Sequence, residues 1–170
     1  MLVRPELTDE GCMRQALRLA ATAGELGEVP VGAIIVYDDR VVARAHNQVE
    51  TLKDATAHAE MIALTQAAAA VGDWRLTEAT LYVTKEPCAM CAGAMVNARL
   101  GRLVFGLPDP RMGGAGGALN ITDFEGMLHR VEVVGGVLLE ECQFTIQDFF
   151  RRRRIEQKEK RDGGEEKIDQ

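Results

Sequence analysis

Four residues of this chain have types and spacing suited to metal-assisted hydrolysis: His58 and Glu60, two positions apart, and Cys88 and Cys91, three apart. Zinc favours imidazole nitrogen and thiolate sulfur in a tetrahedral set. Cysteines three apart on a helix lie on one face and can share an ion. One imidazole and two thiolates leave the fourth position to water, which marks a catalytic zinc rather than a structural one. Two thiolates also cancel the charge of the ion, and water on such a centre falls from a pKa of about 15.7 to about 7. Glu60, beside the metal and not on it, is placed to take a proton from that water. It can return the proton to a ring nitrogen and to a leaving amine, general acid–base work of roughly 10²–10⁴-fold. The predicted reaction is hydrolytic: hydroxide adds to an amidine-like carbon and ammonia leaves.

The elements that must position these residues are legible as alternating helix and strand signals. Met13, Ala16, Leu17, Ala20, Ala23 and Leu26 recur at helical spacing, which predicts a helix over 8–27 stopped by Gly27. Residues 29–37 and 40–47 are β-rich runs joined at Asp38-Asp39, a hairpin signal. A helix is expected over 57–71 with Gly72 beyond it, a strand over 79–84, a helix over 88–100 and a strand over 101–105. The glycine-rich stretch 106–120 reads as a loop, 131–134 as a strand, and 138 to about 154 as a last helix. His58 and Cys88 thus fall at helix starts, where unpaired N–H groups and the dipole favour thiolate over thiol. An opening hairpin followed by βα units packs most naturally as a three-layer α/β/α sandwich on a mixed five-stranded sheet. We expect one domain over 1–155 and a polar tail over 156–170 that frays.

Bulk properties narrow the setting. Residues 1–150 carry 12 Lys/Arg against 20 Asp/Glu, whereas 151–170 carry 8 against 6. An acidic body is a poor general nucleic-acid binder, so an RNA partner requires a local basic surface. The run Arg151-Arg152-Arg153-Arg154 is the expected surface, although it also suits a solvated helix end favoured by the dipole. No stretch reads as a signal peptide or a membrane span, and the expected location is cytoplasmic. There thiols stay reduced, so a close Cys pair suggests metal or redox chemistry. A thioredoxin-like pair is disfavoured by the upstream His58 and Glu60, and a structural zinc knot by the lack of a fourth ligand. Cys12 and Cys142 fall on apolar helix faces, and His46 and His129 read as structural. Asn47, at a strand end, suits a turn as well as a base contact. The glycine loop lacks the GK[ST] ending of a phosphate cradle.

The motifs HAE (58–60) and PCAMC (87–91) carry the H-x-E…P-C-x-x-C pattern of zinc deaminases. With VPVGA (29–33), AHN (45–47), TLYVT (80–84), EPCAMCAGAM (86–95), FG (105–106) and DFFR (148–151), the chain resembles the bacterial tRNA-specific adenosine deaminases over residues 7–155. It departs from their usual pattern at Pro108, Ala118 and Leu128. The resemblance implies a cytidine deaminase-like fold, one Zn2+ per subunit, a homodimer, and conversion of adenosine to inosine at the wobble position of a tRNA anticodon stem-loop. It also implies that Asn47 hydrogen-bonds a flipped base, that Val29 and Ala59 line its pocket, and that Asp109, Phe149 and Arg153 meet the RNA. The alternative with the same zinc residues is a deaminase of free nucleobases or nucleosides of the guanine or cytosine type. A zinc-stabilised binding module without turnover is the third reading, and Glu60 discriminates it.

Overall fold

The computed structural model describes residues 7–165. Helix α1 (Asp9–Glu25) opens at Thr8, whose hydroxyl accepts from the Gly11 N–H, with Asp9 and Glu10 in the positive first turn. Strands β1 (Gly32–Tyr37) and β2 (Arg40–His46) form the expected hairpin. Asp38 and Asp39 both have positive φ (48° and 53°), the type I′ geometry that matches strand twist. A four-residue helix, α2 (Val49–Leu52), lies in the following loop; it is too short to show a periodicity. Helix α3 (Ala59–Val71) ends at Gly72, which is left-handed. Then come β3 (Thr80–Lys85), α4 (Ala89–Asn97), β4 (Arg102–Leu107), β5 (Glu132–Val134) and α5 (Leu139–Glu165).

The sheet order is β2-β1-β3-β4-β5, with β1 antiparallel to both neighbours and the β3–β4 and β4–β5 pairs parallel. This is the expected mixed five-stranded sheet. Alternation along the strands separates two cores. Ala33, Ile35, Leu81, Val83, Leu103 and Phe105 face one side, where Ala59, Ala63, Ala67, Cys91 and Met95 of α3 and α4 cover them. Ile34, Tyr82 and Val104 face the other, beneath Cys12, Met13 and Ala16 of α1 and Cys142 of α5. Small residues let α1 approach closely: a Cβ on Gly32 would sit 2.1 Å from the Ala16 carbonyl oxygen. Cys12 and Cys142 are core thiols, as their apolar faces predict.

Helix α5 is longer than the apolar pattern predicts, running past Arg154 to Glu165. Residues 156–162 are fully polar and exposed, so no buried stripe announces them. Good helix formers (Glu156, Lys158, Lys160) continue the helix without tertiary packing. Residues 166–170, the end of the stretch expected to fray, lie outside the described residues. No helix among the described residues is long and apolar enough to cross a membrane.

Candidate active site

Strands β2 and β3 run in the same direction, on either side of the reversed β1, so α3 and α4 start at one edge of the sheet. His58 and Cys88 occupy the N-cap positions of these helices, in extended backbone (ψ 150° and 173°), and neither side chain caps its own helix. A capping serine or aspartate there would turn back onto the helix N–H groups. The imidazole and the thiol instead remain free to point at each other.

His58 Nδ1 lies 3.7 Å from Cys88 Sγ and 3.5 Å from Cys91 Sγ. The donor atoms of all three residues lie within 4.8 Å of one another. Zinc bonds of about 2.0–2.1 Å to nitrogen and about 2.3 Å to sulfur, at a tetrahedral angle, would place N and S about 3.6 Å apart. The three side chains therefore fit the first shell of a tetrahedral metal ion, and among the described residues no other group of His, Cys, Asp and Glu is so gathered.

The electrostatics are those of a thiolate nest. Hydrogen bonds from Cys91 and His58 outweigh burial and lower the Cys88 thiol to about 3. The Cys88 sulfur and burial push the Cys91 thiol up, so the pair shares one proton. The bond to Cys88 raises His58 despite its partial burial. Glu60, in the first turn of α3, is only 4% exposed, and burial raises its carboxyl above the usual range. A carboxyl so placed holds a proton more readily than an exposed one, which suits a general acid–base.

Beside these groups lies a cavity of about 330 Å³. Its walls include His58, Glu60 and Cys88, and also Val29, Asn47, Ala59 and Arg153, four of the six residues expected to touch substrate. The other two are placed differently. Phe149 lines a neighbouring cavity of about 560 Å³ between α1 and α5, with the Arg153 guanidinium 5.5 Å from its ring centre. Asp109 is not on the wall of the catalytic cavity. Its Oδ1 accepts from the N–H groups of Arg111 (3.0 Å) and Met112 (3.1 Å), and its Oδ2 pairs with Lys85. These bonds outweigh burial and hold its carboxyl below the ordinary range.

Sequence reasoning missed three residues. Lys85 ends β3 and places a cation on the cavity wall. Glu86, 2% exposed, accepts from the N–H groups of Asp109 (2.7 Å), Ala115 (3.0 Å) and Gly117 (2.8 Å) and so ties down the glycine-rich loop. Glu28, 0% exposed, accepts from the N–H groups of Glu50 (3.0 Å) and Thr51 (2.6 Å) and from the Asn47 amide (3.3 Å). The only signal in sequence was a charge beside a buried motif: Glu28 before VPVGA, Lys85-Glu86 before PC. His46 and His129 are structural, bonded to the carbonyls of Asn47 and Leu100.

Residues 7–154 match the family model of MafB19-like deaminases, so fold and site together define a deaminase of the cytidine deaminase-like class. The chain is 48% identical to the tRNA-specific adenosine deaminase of Bacillus subtilis, covering 88% of this chain and 93% of that one. It is 47% identical to the Haemophilus influenzae protein of the same name, covering 92% and 90%. A solved structure from work on A-to-I editing by tRNA:A34 deaminases superposes with a TM-score of 0.76 at 41% identity, covering 79% of this chain and 97% of that one. A guanine deaminase from Nitrosomonas europaea shares the fold, with a TM-score of 0.71 at 21% identity over 88% of this chain and 86% of that one. The chain belongs to the tRNA-specific adenosine deaminase family.

Proposed function

We propose that this protein hydrolyses adenosine to inosine at the wobble position of a tRNA anticodon, with one Zn2+ per subunit held by His58, Cys88 and Cys91. The observation that carries the reading is the convergence of an imidazole–dithiol nest, a buried Glu60 and the Asn47 side chain on one cavity of base size. Zinc, when bound, supplies a Lewis-acidic position that makes water nucleophilic near pH 7. Glu60 would take a proton from the attacking water and give it to a ring nitrogen, and would then carry the proton of the added hydroxyl to the amine as it leaves. Its burial suits it to both tasks, because a carboxyl of raised pKa is a better proton acceptor and is still able to donate. Ala59 and Val29 form apolar walls for the flipped base, and Asn47 offers it hydrogen bonds. Arg153, with Phe149 beneath it, supplies a stacking and phosphate-pairing surface at the rim, and Asp109 meets the RNA by way of the loop it anchors.

A homodimer is part of the reading. Met112 (65% exposed), Leu119 (55%), Phe124 (60%) and Leu128 (89%) lie within residues 112–128, leaving an apolar surface open on one segment. A cytoplasmic location is part of the same reading, since thiols stay reduced there and can hold the metal. The test is to incubate the purified protein with an anticodon stem-loop carrying a wobble adenosine and to analyse the nucleosides. Inosine is expected. Ammonia released from free guanine or cytosine, with none from the stem-loop, would instead make it a free-base deaminase.

A further inference from the structure

Glu28 is a fully buried carboxylate on the wall of the catalytic cavity, outside the set that performs the chemistry. Its donors all belong to the segment that follows β2. The N–H groups of Glu50 and Thr51 lie in the first turn of α2, whose own N-cap residue, Gln48, makes no side-chain cap. Glu28 supplies that missing cap from 22 positions away. Asn47 Nδ2 also donates to it, 3.3 Å from Glu28 Oε2. Burial alone would raise the Glu28 carboxyl, but the donors from Glu50 and Thr51 outweigh it and hold it charged.

A carboxylate only accepts, so the nitrogen of the Asn47 amide must face it; the oxygen would be repelled. The main chain around Asn47 is fixed as well. Its N–H donates to Val31 O (2.9 Å) and its carbonyl meets His46 Nδ1 (2.8 Å). The side-chain torsions are the remaining freedom, and Glu28 settles them. We infer that Glu28 is a positioning residue for base recognition: it fixes which way the Asn47 amide faces, and so presents a defined donor–acceptor edge to the purine. Asparagine meets the N6/N7 edge of adenine with such an edge. A free amide would present either face, and the pocket would lose selectivity while keeping its shape.

The inference rests on Asn47 being a base contact, and the test separates the two. Stem-loops carrying wobble adenosine or wobble 7-deazaadenosine are compared by kcat/KM for the wild type, Asn47→Ala and Glu28→Gln. The wild type is expected to prefer adenosine by about tenfold, the worth of one good hydrogen bond. Both variants should lose that preference, and Glu28→Gln/Asn47→Ala should be no worse than Asn47→Ala. Preference retained in Asn47→Ala would remove the base-contact role and this inference with it. Preference lost in Asn47→Ala but kept in Glu28→Gln would overturn the role of Glu28 alone. Because Glu28→Gln also weakens the α2 cap, the wild-type zinc-loaded protein provides a second readout by NMR. One Asn47 Nδ2 proton shifted downfield and protected from exchange is the expected signature; both protons at the shifts of a solvent-exposed amide and exchanging freely would contradict it.

Discussion

Glu60 sits two positions from an imidazole and almost out of reach of water, an environment that disfavours its charged form. Nothing about packing calls for a carboxyl there, since a glutamine would fill the same space. Its value is the proton. Glu60→Gln is therefore expected to keep the fold and bind one zinc per chain, yet lose turnover by at least about 10²–10⁴-fold. Metal analysis and single-turnover deamination check the two halves separately. At the opposite end of the sheet, Asp9 shows a residue shifted for stability alone. Its carboxylate accepts from both terminal nitrogens of Arg102, at 2.8 Å each, and from Tyr82 at 3.0 Å. The Arg102 bonds hold its pKa below 3.8, with burial opposing. A lowered carboxyl stabilises the fold fully above its unfolded pKa and ceases to do so as pH falls through the folded value. Acid titration of the melting temperature should thus drop below about pH 4 in the wild type and drop less steeply in Arg102→Gln.

At the level of elements, the candidate metal ligands were legible because a spacing of three relates Cys88 to Cys91 across one helical turn, and because a helix start needs a residue with extended backbone, which both His58 and Cys88 satisfy. Glu28, Lys85 and Glu86 were illegible for the opposite reason. Each acts on partners brought close only by the folded loops, as when Glu86 reaches Ala115 and Gly117 some thirty positions on. The sequence pattern also ended α5 at about Arg154, although polar helix formers extend it to Glu165. The close contact of α1 with β1 offers a direct check. Gly32→Ala puts a methyl 2.1 Å from the Ala16 carbonyl and 2.6 Å from Ala20 N, so α1 must move. A loss of at least about 1–3 kcal/mol is expected in denaturant unfolding. On α5, Asp148 pairs with Arg151 and Arg152, leaving Arg153 to line the catalytic cavity. Arg153→Ala should raise KM for the stem-loop and flatten its dependence on log salt by about one phosphate contact. An unchanged salt slope would take Arg153 off the RNA.

As a whole, the molecule is acidic with a formal charge of −6, and five of its fifteen arginines lie on the exposed helix α5, four of them consecutive. Such a distribution lets RNA approach in one orientation and be repelled in others. The folded body brings His58, Cys88 and Cys91 together from two helices and a shared sheet edge, so metal loading and the integrity of that edge are linked. The most direct measurement of the central claim is metal removal and return. Protein stripped of metal by a chelator should not convert wobble adenosine to inosine, and one equivalent of zinc per chain should restore conversion in the wild type and not in Cys88→Ser/Cys91→Ser. Full turnover by the metal-free protein would contradict the account.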